Sequence, residues 1–427
     1  MIDQDRIRQN PEGVKEALKK KLWDADFTEY LLWDKQRREI LQLVEGNKAE
    51  MNKLSGLVPE AKKKGEDVTK IFAKVKEIAA ENKENEKKLE ELNNKIFDFL
   101  AALPNIPDDD LVGGGKENNK VIREYGSKPN FSFKMKDHVE LATSLGLIDY
   151  DRGAKISGHG AWIYTNKGAL LEWALVNFFI SEHLKDGYEF ILPPHLLNEQ
   201  SGYVAGQFPK FREDVFWLEG LEPKRFILPT AETALVNLHR DEILSEDDLP
   251  KKYFAYTPCY RREAGSYRTE ERGMIRGYQF NKVEMVQYTK PEDSDAAFEE
   301  LVSKAESLVQ KLGLHYHVSK LAAGDISHSM ARTYDIEVYL PSVGIYKEVS
   351  SASNARDYQA RRGMVRYRDK ATNKTKFVHT LNASGLATSR IFPAILEQFQ
   401  QEDGSVIVPE VLRPFMGGIE VLKPIKK

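Results

Sequence analysis

An α+β fold carrying an N-terminal antiparallel two-helix arm is predicted by three features of the sequence. Heptad-spaced apolar residues dominate the chain before about residue 105, short strand-like runs joined by tight turns dominate it after about residue 131, and a loop-forming stretch separates the two. That stretch includes Leu103-Pro104-Asn105-Ile106-Pro107 and Gly113-Gly114-Gly115. The expected organisation is an N-terminal domain over 1–105, a linker over 106–130 and a larger domain over 131–427. A chain of 427 residues is long enough for two or three domains with a sizeable core.

The arm is read from its seams. Val68, Ile71, Val75, Ile78, Asn82, Asn85, Leu89, Leu92, Ile96 and Phe99 alternate spacings of three and four, the a/d pattern of a coiled coil with two polar residues in its middle. A weaker seam precedes it: Tyr30, Trp33, Arg37, Ile40, Val44, Asn47, Met51 and Leu54. The segment Ser55 to Asp67 between them, with Pro59, Gly65 and Lys62-Lys63-Lys64, reads as a turn, which makes the helices antiparallel neighbours over about residues 28–100. At 1.5 Å per residue the longer helix would run about 50 Å, so the hairpin is expected to project rather than to form a core. Taken alone, the pattern fits a spacer or oligomerisation coiled coil as well as a nucleic-acid arm, and the lysines at 62–64 fit a solvated turn as well as a phosphate contact.

Downstream, Leu170 to Leu184 reads as a helix. Strand-like runs follow at Tyr188–Leu192, Val215–Leu218, Arg225–Leu228, Tyr253–Arg261, Ile275–Tyr288, Tyr334–Leu340, Ile345–Ser350 and Lys376–Leu381, with helices at Glu232–Arg240, Asp293–Leu312 and Ser389–Gln400. Links as short as Pro341-Ser342-Val343-Gly344 join only antiparallel neighbours, so an antiparallel sheet flanked by helices is expected.

Composition excludes several classes. Sixty-three Lys+Arg against 66 Asp+Glu give a net charge of −3, so any nucleic-acid contact must come from local clustering. One cysteine, Cys259, allows no internal disulfide and no multi-cysteine zinc or iron–sulfur site. The most apolar stretch, Ala169 to Ile180, is interrupted by Glu172 and Asn177 and falls short of a membrane span. No signal-peptide layout opens the chain, and a reducing, cytoplasmic setting is expected. There is neither a GxxxxGK[ST] loop nor a GxGxxG at a strand-to-helix turn, so a nucleotide would have to be held by side chains on strands.

The chemistry-bearing segments are four. Cys259-Tyr260-Arg261-Arg262-Glu263-Ala264-Gly265-Ser266 leads into Ile275-Arg276-Gly277-Tyr278-Gln279-Phe280-Asn281-Lys282-Val283-Glu284. On a strand, Arg261 and Glu263 would share a face, as would Phe280, Lys282 and Glu284. An arginine so placed suits a phosphate or carboxylate, although an isolated R-x-E is far more often surface pairing. The other segments are Leu228-Pro229-Thr230-Ala231-Glu232, Glu348-Val349-Ser350-Ser351-Ala352-Ser353-Asn354 with Gln359-Ala360-Arg361-Arg362, and Leu381-Asn382-Ala383-Ser384-Gly385-Leu386-Ala387 followed by Arg390.

Together these blocks resemble the class II aminoacyl-tRNA synthetases in their seryl-tRNA synthetase form. The first segment is similar to the second class II signature, Gly187-Tyr188 with Pro194 to the first, and Leu381 to Arg390 to the third; the N-terminal hairpin resembles the family's tRNA-binding arm. The resemblance covers nearly the whole chain.

It implies a serine–tRNA ligase of the bacterial type, using ATP with Mg²⁺ and no zinc, working as a homodimer through Pro194, with tRNA bound across subunits. The acceptors implied are tRNA(Ser) and also tRNA(Sec). Arg261 and Arg390 would be catalytic. Arg261 would neutralise charge at the ATP α-phosphate, and Arg390, at a helix start, would serve the γ-phosphate end of a bent ATP. The ATP site would include Arg262, Glu263 at the adenine amino group, Phe280 stacked on the ring, Glu348, Val349, Ser350 and Ser351, with Glu348 and Ser351 holding Mg²⁺. Thr230, Ala231, Glu232, Arg261, Glu284, Asn382 and Ser384 would form the serine pocket, in which carboxylates answer the α-ammonium and an amino acid lacking the hydroxyl leaves polar groups unpaired. Lys62, Lys63 and Lys64 would touch tRNA.

The chain departs from the family at a few positions. Tyr278-Gln279-Phe280-Asn281 stands for His-Gln-Phe-Asp, Ala352 for a cysteine, and Ala383 for a glycine, where its methyl is expected to tighten the serine site. Two other readings are a relative that loads an amino acid onto a carrier protein and a non-catalytic tRNA-binding descendant. The first should lack the arm and the second should lose the ATP-site charges; the arm, Arg261, Glu263, Glu348 and Arg390 are all present.

Overall fold

The computed structural model describes residues 1–263 and 273–425. Ala264, Gly265 and Ser266 of the first chemistry-bearing segment, and Arg272, lie outside the described residues. The chain divides into two compact units, one of residues 2–16 and 24–103, the other of residue 1, residues 17–23 and residues 104–427.

The smaller unit is built on two helices, Thr28–Lys63 and Thr69–Ala102, that pack side by side. Ile78, Asn82, Asn85, Leu92 and Ile96 are buried along the second helix, as its heptads require. The polar seam residues find each other, Asn47 Nδ2 donating to Asn82 Oδ1 at 3.0 Å, which satisfies a buried amide and fixes the register of the pair. Near the base, Tyr30 stacks on Phe99 with centroids 5.5 Å apart, and the Arg8 guanidinium holds the Asp34 carboxyl down at about 2. The turn is shorter than the sequence suggested. The first helix runs through Pro59, so Lys62 and Lys63 lie in its last turn, where basic charge complements the exposed carbonyls. Lys64 follows directly, and all three lysines are exposed.

The larger unit holds an eight-stranded sheet. In chain order its strands are β1 (Lys120–Tyr125), β2 (Glu189–Phe190), β3 (Lys251–Tyr260), β4 (Gln279–Thr289), β5 (Tyr316–Lys320), β6 (Arg332–Leu340), β7 (Ile345–Arg356) and β8 (His379–Ala387), and they lie in the order β1-β5-β6-β7-β8-β4-β3-β2. Every neighbouring pair is antiparallel except β2 with β3 at the edge. The segment expected as a linker therefore contributes a strand, β1, to this sheet.

Three helices, Asn166–Lys185, Ser294–Lys311 and Thr388–Gln398, cover one face of the sheet. They bury Phe178, Phe179, Leu301, Leu308, Phe392 and Ile395 against Val283, Met285, Ile336, Val338, Leu381 and Ala383. Strand alternation then turns Lys282, Glu284, Asn382 and Ser384 to the other face, toward the cavity. Ala383 accordingly packs in the core with Ala352, so its methyl does not narrow the cavity that Asn382 and Ser384 line. The helix expected over Glu232–Arg240 is a short one, Glu232–Leu235, followed by turns that include Asp241 at φ 65°. The strand expected from Ile275 begins at Gln279.

Candidate active site

One cavity of about 710 Å³ opens on the polar face of the sheet and is lined by Thr230, Glu232, Arg261, Lys282, Glu284, Glu348, Ser351, Asn382, Ser384 and Arg390. Nine of these were singled out from the sequence; Lys282 was noted only for the face it shares with Glu284.

One end of the cavity is set by strand register. Ser384 lies directly opposite Glu284, and Asn382 sits one same-face step along, opposite Val286. Ser384 Oγ donates to Glu284 Oε2 at 3.2 Å and Asn382 Nδ2 donates to Oε1 at 3.1 Å, so both oxygens of this buried carboxylate are engaged. Lys282, also buried, forms an ion pair with Glu284 and donates to Thr230 Oγ1 at 2.8 Å. The Thr230 loop is tied to the end of β3, with Tyr260 N–H donating to the Leu228 carbonyl at 3.1 Å and Arg261 Nε to the Pro229 carbonyl at 3.3 Å. Glu232 opens the short helix and accepts from Gln359 Nε2 at 2.8 Å; Gln359 Oε1 in turn accepts from Thr380 Oγ1 at 2.6 Å. Burial first, and then the Glu284 charge, push the Glu232 carboxyl up to about 7. The pocket thus presents two carboxylates with a single lysine ammonium beside them, which suits a small cation that also carries a hydrogen-bonding group.

The other end depends on a bulge. Between β6 and β7 the register shifts, Glu337 facing Glu348 while Ile336 faces Ser350, so Val349 is the extra residue. Glu348 and Ser351, three apart, would point to opposite faces of a regular strand, but here both line the cavity. Arg390 Nη1 donates to the Glu348 carbonyl at 2.7 Å and approaches its carboxylate at 3.5 Å. Ser351 Oγ donates to Asp335 Oδ1 at 2.7 Å, and burial followed by Glu348 repulsion raises the Asp335 pKa. Oxygen donors crowded in this way suit a hard cation arriving with its nucleotide. Among the described residues no group of three or more His, Cys, Asp or Glu is arranged to hold a metal on its own.

Several expected residues are placed elsewhere. Val349 packs in the apolar core, and Ser350 Oγ donates to the Ser384 carbonyl at 2.6 Å, tying β7 to β8 from the core side. Ala231 is also fully buried among apolar side chains. Arg262 turns to the 213–214 segment, its Nη1 donating to the Glu213 carbonyl at 2.9 Å. Because β3 ends at Tyr260 and Glu263 has φ 49°, Arg261 and Glu263 do not share a strand face. Glu263 instead pairs with Arg276 at 2.8 Å, and it lines a second cavity of about 420 Å³ that Thr230, Glu232, Arg261, Arg276 and Arg390 also border. Phe280 meets the Arg261 guanidinium, which stands 5.2 Å from the ring centroid. Pro194 is exposed shortly after the edge strand β2, with Leu192 73 % exposed beside it.

The residues missed include Arg276, Thr333, Asp335, Glu337 and Ser353, all of which line the large cavity. A signal for three of them was present: Thr333-Tyr334-Asp335-Ile336-Glu337 alternates polar and apolar side chains, a strand with one wet face.

Comparison with known proteins places these features. Residues 1–107 match the family described as "Seryl-tRNA synthetase N-terminal domain", and residues 216–399 match "tRNA synthetase class II core domain (G, H, P, S and T)". Serine–tRNA ligase 2 of Clostridium acetobutylicum is 63 % identical over 422 residues, covering 98 % of this chain and 99 % of that protein. Serine–tRNA ligase of Thermodesulfovibrio yellowstonii is 46 % identical over 427 residues, covering 99 % of this chain and 100 % of that one. Among solved structures, seryl-tRNA synthetase of Pyrococcus horikoshii complexed with ATP superposes with a TM-score of 0.91 at 35 % identity, covering 100 % of both chains.

Proposed function

The chain belongs to the seryl-tRNA synthetase family of class II ligases, and on that premise we propose that it joins L-serine to tRNA in two steps within the 710 Å³ cavity. The observation that carries the reading is the convergence of Thr230, Glu232, Arg261, Glu284, Asn382, Ser384 and Arg390 on one cavity. Among the described residues no helix is long and apolar enough to cross a membrane.

In the first step a serine carboxylate oxygen attacks the α-phosphorus of ATP, the new P–O bond forms, and pyrophosphate leaves, giving seryl-adenylate. Glu232 and Glu284 receive the α-ammonium and the side-chain hydroxyl; Lys282 is the ion-pair partner of Glu284. Arg261 balances the charge that builds on the α-phosphate, with its guanidinium braced by Phe280 and the Pro229 carbonyl. Arg390 receives the far phosphate end. Glu348 and Ser351 are the residues that would hold Mg²⁺, which neutralises phosphate charge when bound with ATP. In the second step a 3′-terminal adenosine hydroxyl of tRNA attacks the seryl carbonyl, an ester forms, and AMP leaves.

The acceptors in this reading are tRNA(Ser) and tRNA(Sec), engaged in the cytoplasm by the hairpin with Lys62, Lys63 and Lys64. The working form is a homodimer with tRNA bound across subunits. An exposed sheet edge followed by Leu192 and Pro194 supports the dimer, since such an edge favours coverage. Incubation with serine, ATP and Mg²⁺ in the absence of tRNA should accumulate enzyme-bound seryl-adenylate, seen by mass spectrometry of the acid-quenched complex. Seryl-tRNA formation without that intermediate would overturn the two-step reading.

A further inference from the structure

The wall shared by the two cavities includes Ser327 and Met330, and Ser329 adds to the second cavity. These residues lie in the irregular connection between β5 and β6, where no ladder holds the backbone. Irregular backbone keeps one conformation only if its polar groups have partners.

All four carbonyls from Ser327 to Met330 are bonded by two residues. Lys21 Nζ donates to the carbonyls of Ser327 at 2.9 Å, His328 at 3.2 Å and Met330 at 2.8 Å. An ammonium has three protons, and each finds an acceptor. Asn105 supplies the remainder, its side-chain Nδ2 donating to the Ser329 carbonyl at 2.9 Å and its backbone N–H to His328 at 2.8 Å. The same Nδ2 also reaches the Ala355 carbonyl at 2.8 Å, fastening the loop to the end of β7. Trp23 adds an edge-on contact to His328 with centroids 5.6 Å apart. Lys21 and Trp23 belong to the short segment 17–23 that interrupts the smaller unit in sequence, and Asn105 to the segment that follows that unit; both segments are part of the larger unit.

We propose that Lys21 and Asn105 are positioning residues for the reaction site, holding the 327–330 loop so that it forms the cavity wall opposite Thr230, Arg261 and Arg390. The inference rests on the reading of that cavity as the serine and ATP site. Neither residue lines either of these two cavities, and neither belongs to the motifs that carry the chemistry. Loss of Lys21 takes the donor from the Met330 carbonyl, and loss of the Asn105 side chain takes it from the Ser329 carbonyl, and the loop then relaxes away from the bound substrates. Substrate affinity falls while the reacting groups, all of which lie outside this loop, are untouched.

The test is serine-dependent pyrophosphate–ATP exchange with the full-length protein and the variants Lys21→Met, Asn105→Ala and Lys20→Met, alongside thermal melting of each. Lys20 is the control, since its Nζ meets the Asp109 carbonyl and not the loop. Lys21→Met and Asn105→Ala should each raise KM for serine by about tenfold, the scale of one or two unmade hydrogen bonds, with kcat within about twofold. Lys20→Met should match the parent. If one variant fails to fold, the other decides the matter. Unchanged KM in a folded variant, with or without a lowered melting temperature, would overturn the proposal and leave these residues as braces of the fold. An equal rise in Lys20→Met would overturn it as well. Absence of serine-dependent exchange in the parent protein would instead strike down the reading of the cavity, and this inference with it.

Discussion

Lys282 and Glu284, two residues apart on one strand, form an ion pair inside the cavity, and Thr230 takes a second bond from the lysine ammonium at 2.8 Å. A buried charge pair is costly to break from one side, because the remaining charge loses its counterion in a poorly solvated place. The pair therefore holds the Glu284 carboxylate in place before substrate arrives, with Asn382 and Ser384 both donating to it.

Glu284→Gln should lower kcat/KM for serine in pyrophosphate exchange by about a hundredfold or more, since Lys282 is left unpaired and one acceptor for the serine hydroxyl is gone. The preference for serine over alanine should shrink at the same time. Exchange kinetics with both amino acids measure the two effects together.

On the proposed reading, Glu232 should make serine binding depend on pH. Burial and then Glu284 push its carboxyl up to about 7, so it is mostly protonated near pH 6 and mostly ionised near pH 8. Only the ionised form attracts a substrate ammonium. KM for serine should fall as pH rises across that range, and Glu232→Gln should flatten the profile at a higher KM.

Glu172 supplies a stability counterpart. It lies among the apolar residues of the helix Asn166–Lys185, accepts from Thr388 Oγ1 at 2.5 Å and Asn281 Nδ2 at 2.7 Å, and burial pushes it up to about 7 from an ordinary 4.5. The folded protein then holds a proton between those two values that the unfolded chain has released. Stability from this group declines as pH rises through that window. Melting temperatures taken from about pH 5 to about pH 8 should fall less for Glu172→Gln than for the parent protein.

Replacing Lys62, Lys63 and Lys64 together by glutamate should weaken aminoacylation, measured as kcat/KM for tRNA, by about tenfold or more and reduce its salt dependence, because phosphate contacts release counterions. Pyrophosphate exchange without tRNA should be unchanged. A drop in both activities would show that the lysines act on the fold rather than on tRNA.

The hairpin and the site were legible in the sequence to different depths. Heptad spacing gave the helical pair and even its polar seam residues, because Asn47 and Asn82 interrupt the apolar pattern where they later meet. The end of the first helix was missed at Pro59, since one absent hydrogen bond near a helix end is outweighed by the flanking turns. Strand parity put Lys282 beside Glu284, where the ion pair forms, while only the family resemblance joined Asn382 and Ser384 to them; parity failed for Arg261 with Glu263, where β3 stops and the backbone turns left-handed. Parity also could not have put Glu348 and Ser351 on one face; a bulge at Val349 did that, and bulges arise from pairing with a partner strand rather than from local sequence. Lys21 and Asn105 were invisible for a related reason. Their partners are loop carbonyls more than 200 residues away, and a carbonyl has no signature in the sequence.

The most direct test of the central claim is pyrophosphate–ATP exchange measured across the amino acids for the parent protein and for Arg261→Ala. The account predicts rapid exchange with serine and far slower exchange with alanine or threonine. In Arg261→Ala the serine rate should drop by about a thousandfold with the melting temperature preserved, since this guanidinium stabilises the developing phosphate charge and little of the fold. Fastest exchange with another amino acid, or an unchanged serine rate in Arg261→Ala, would contradict it.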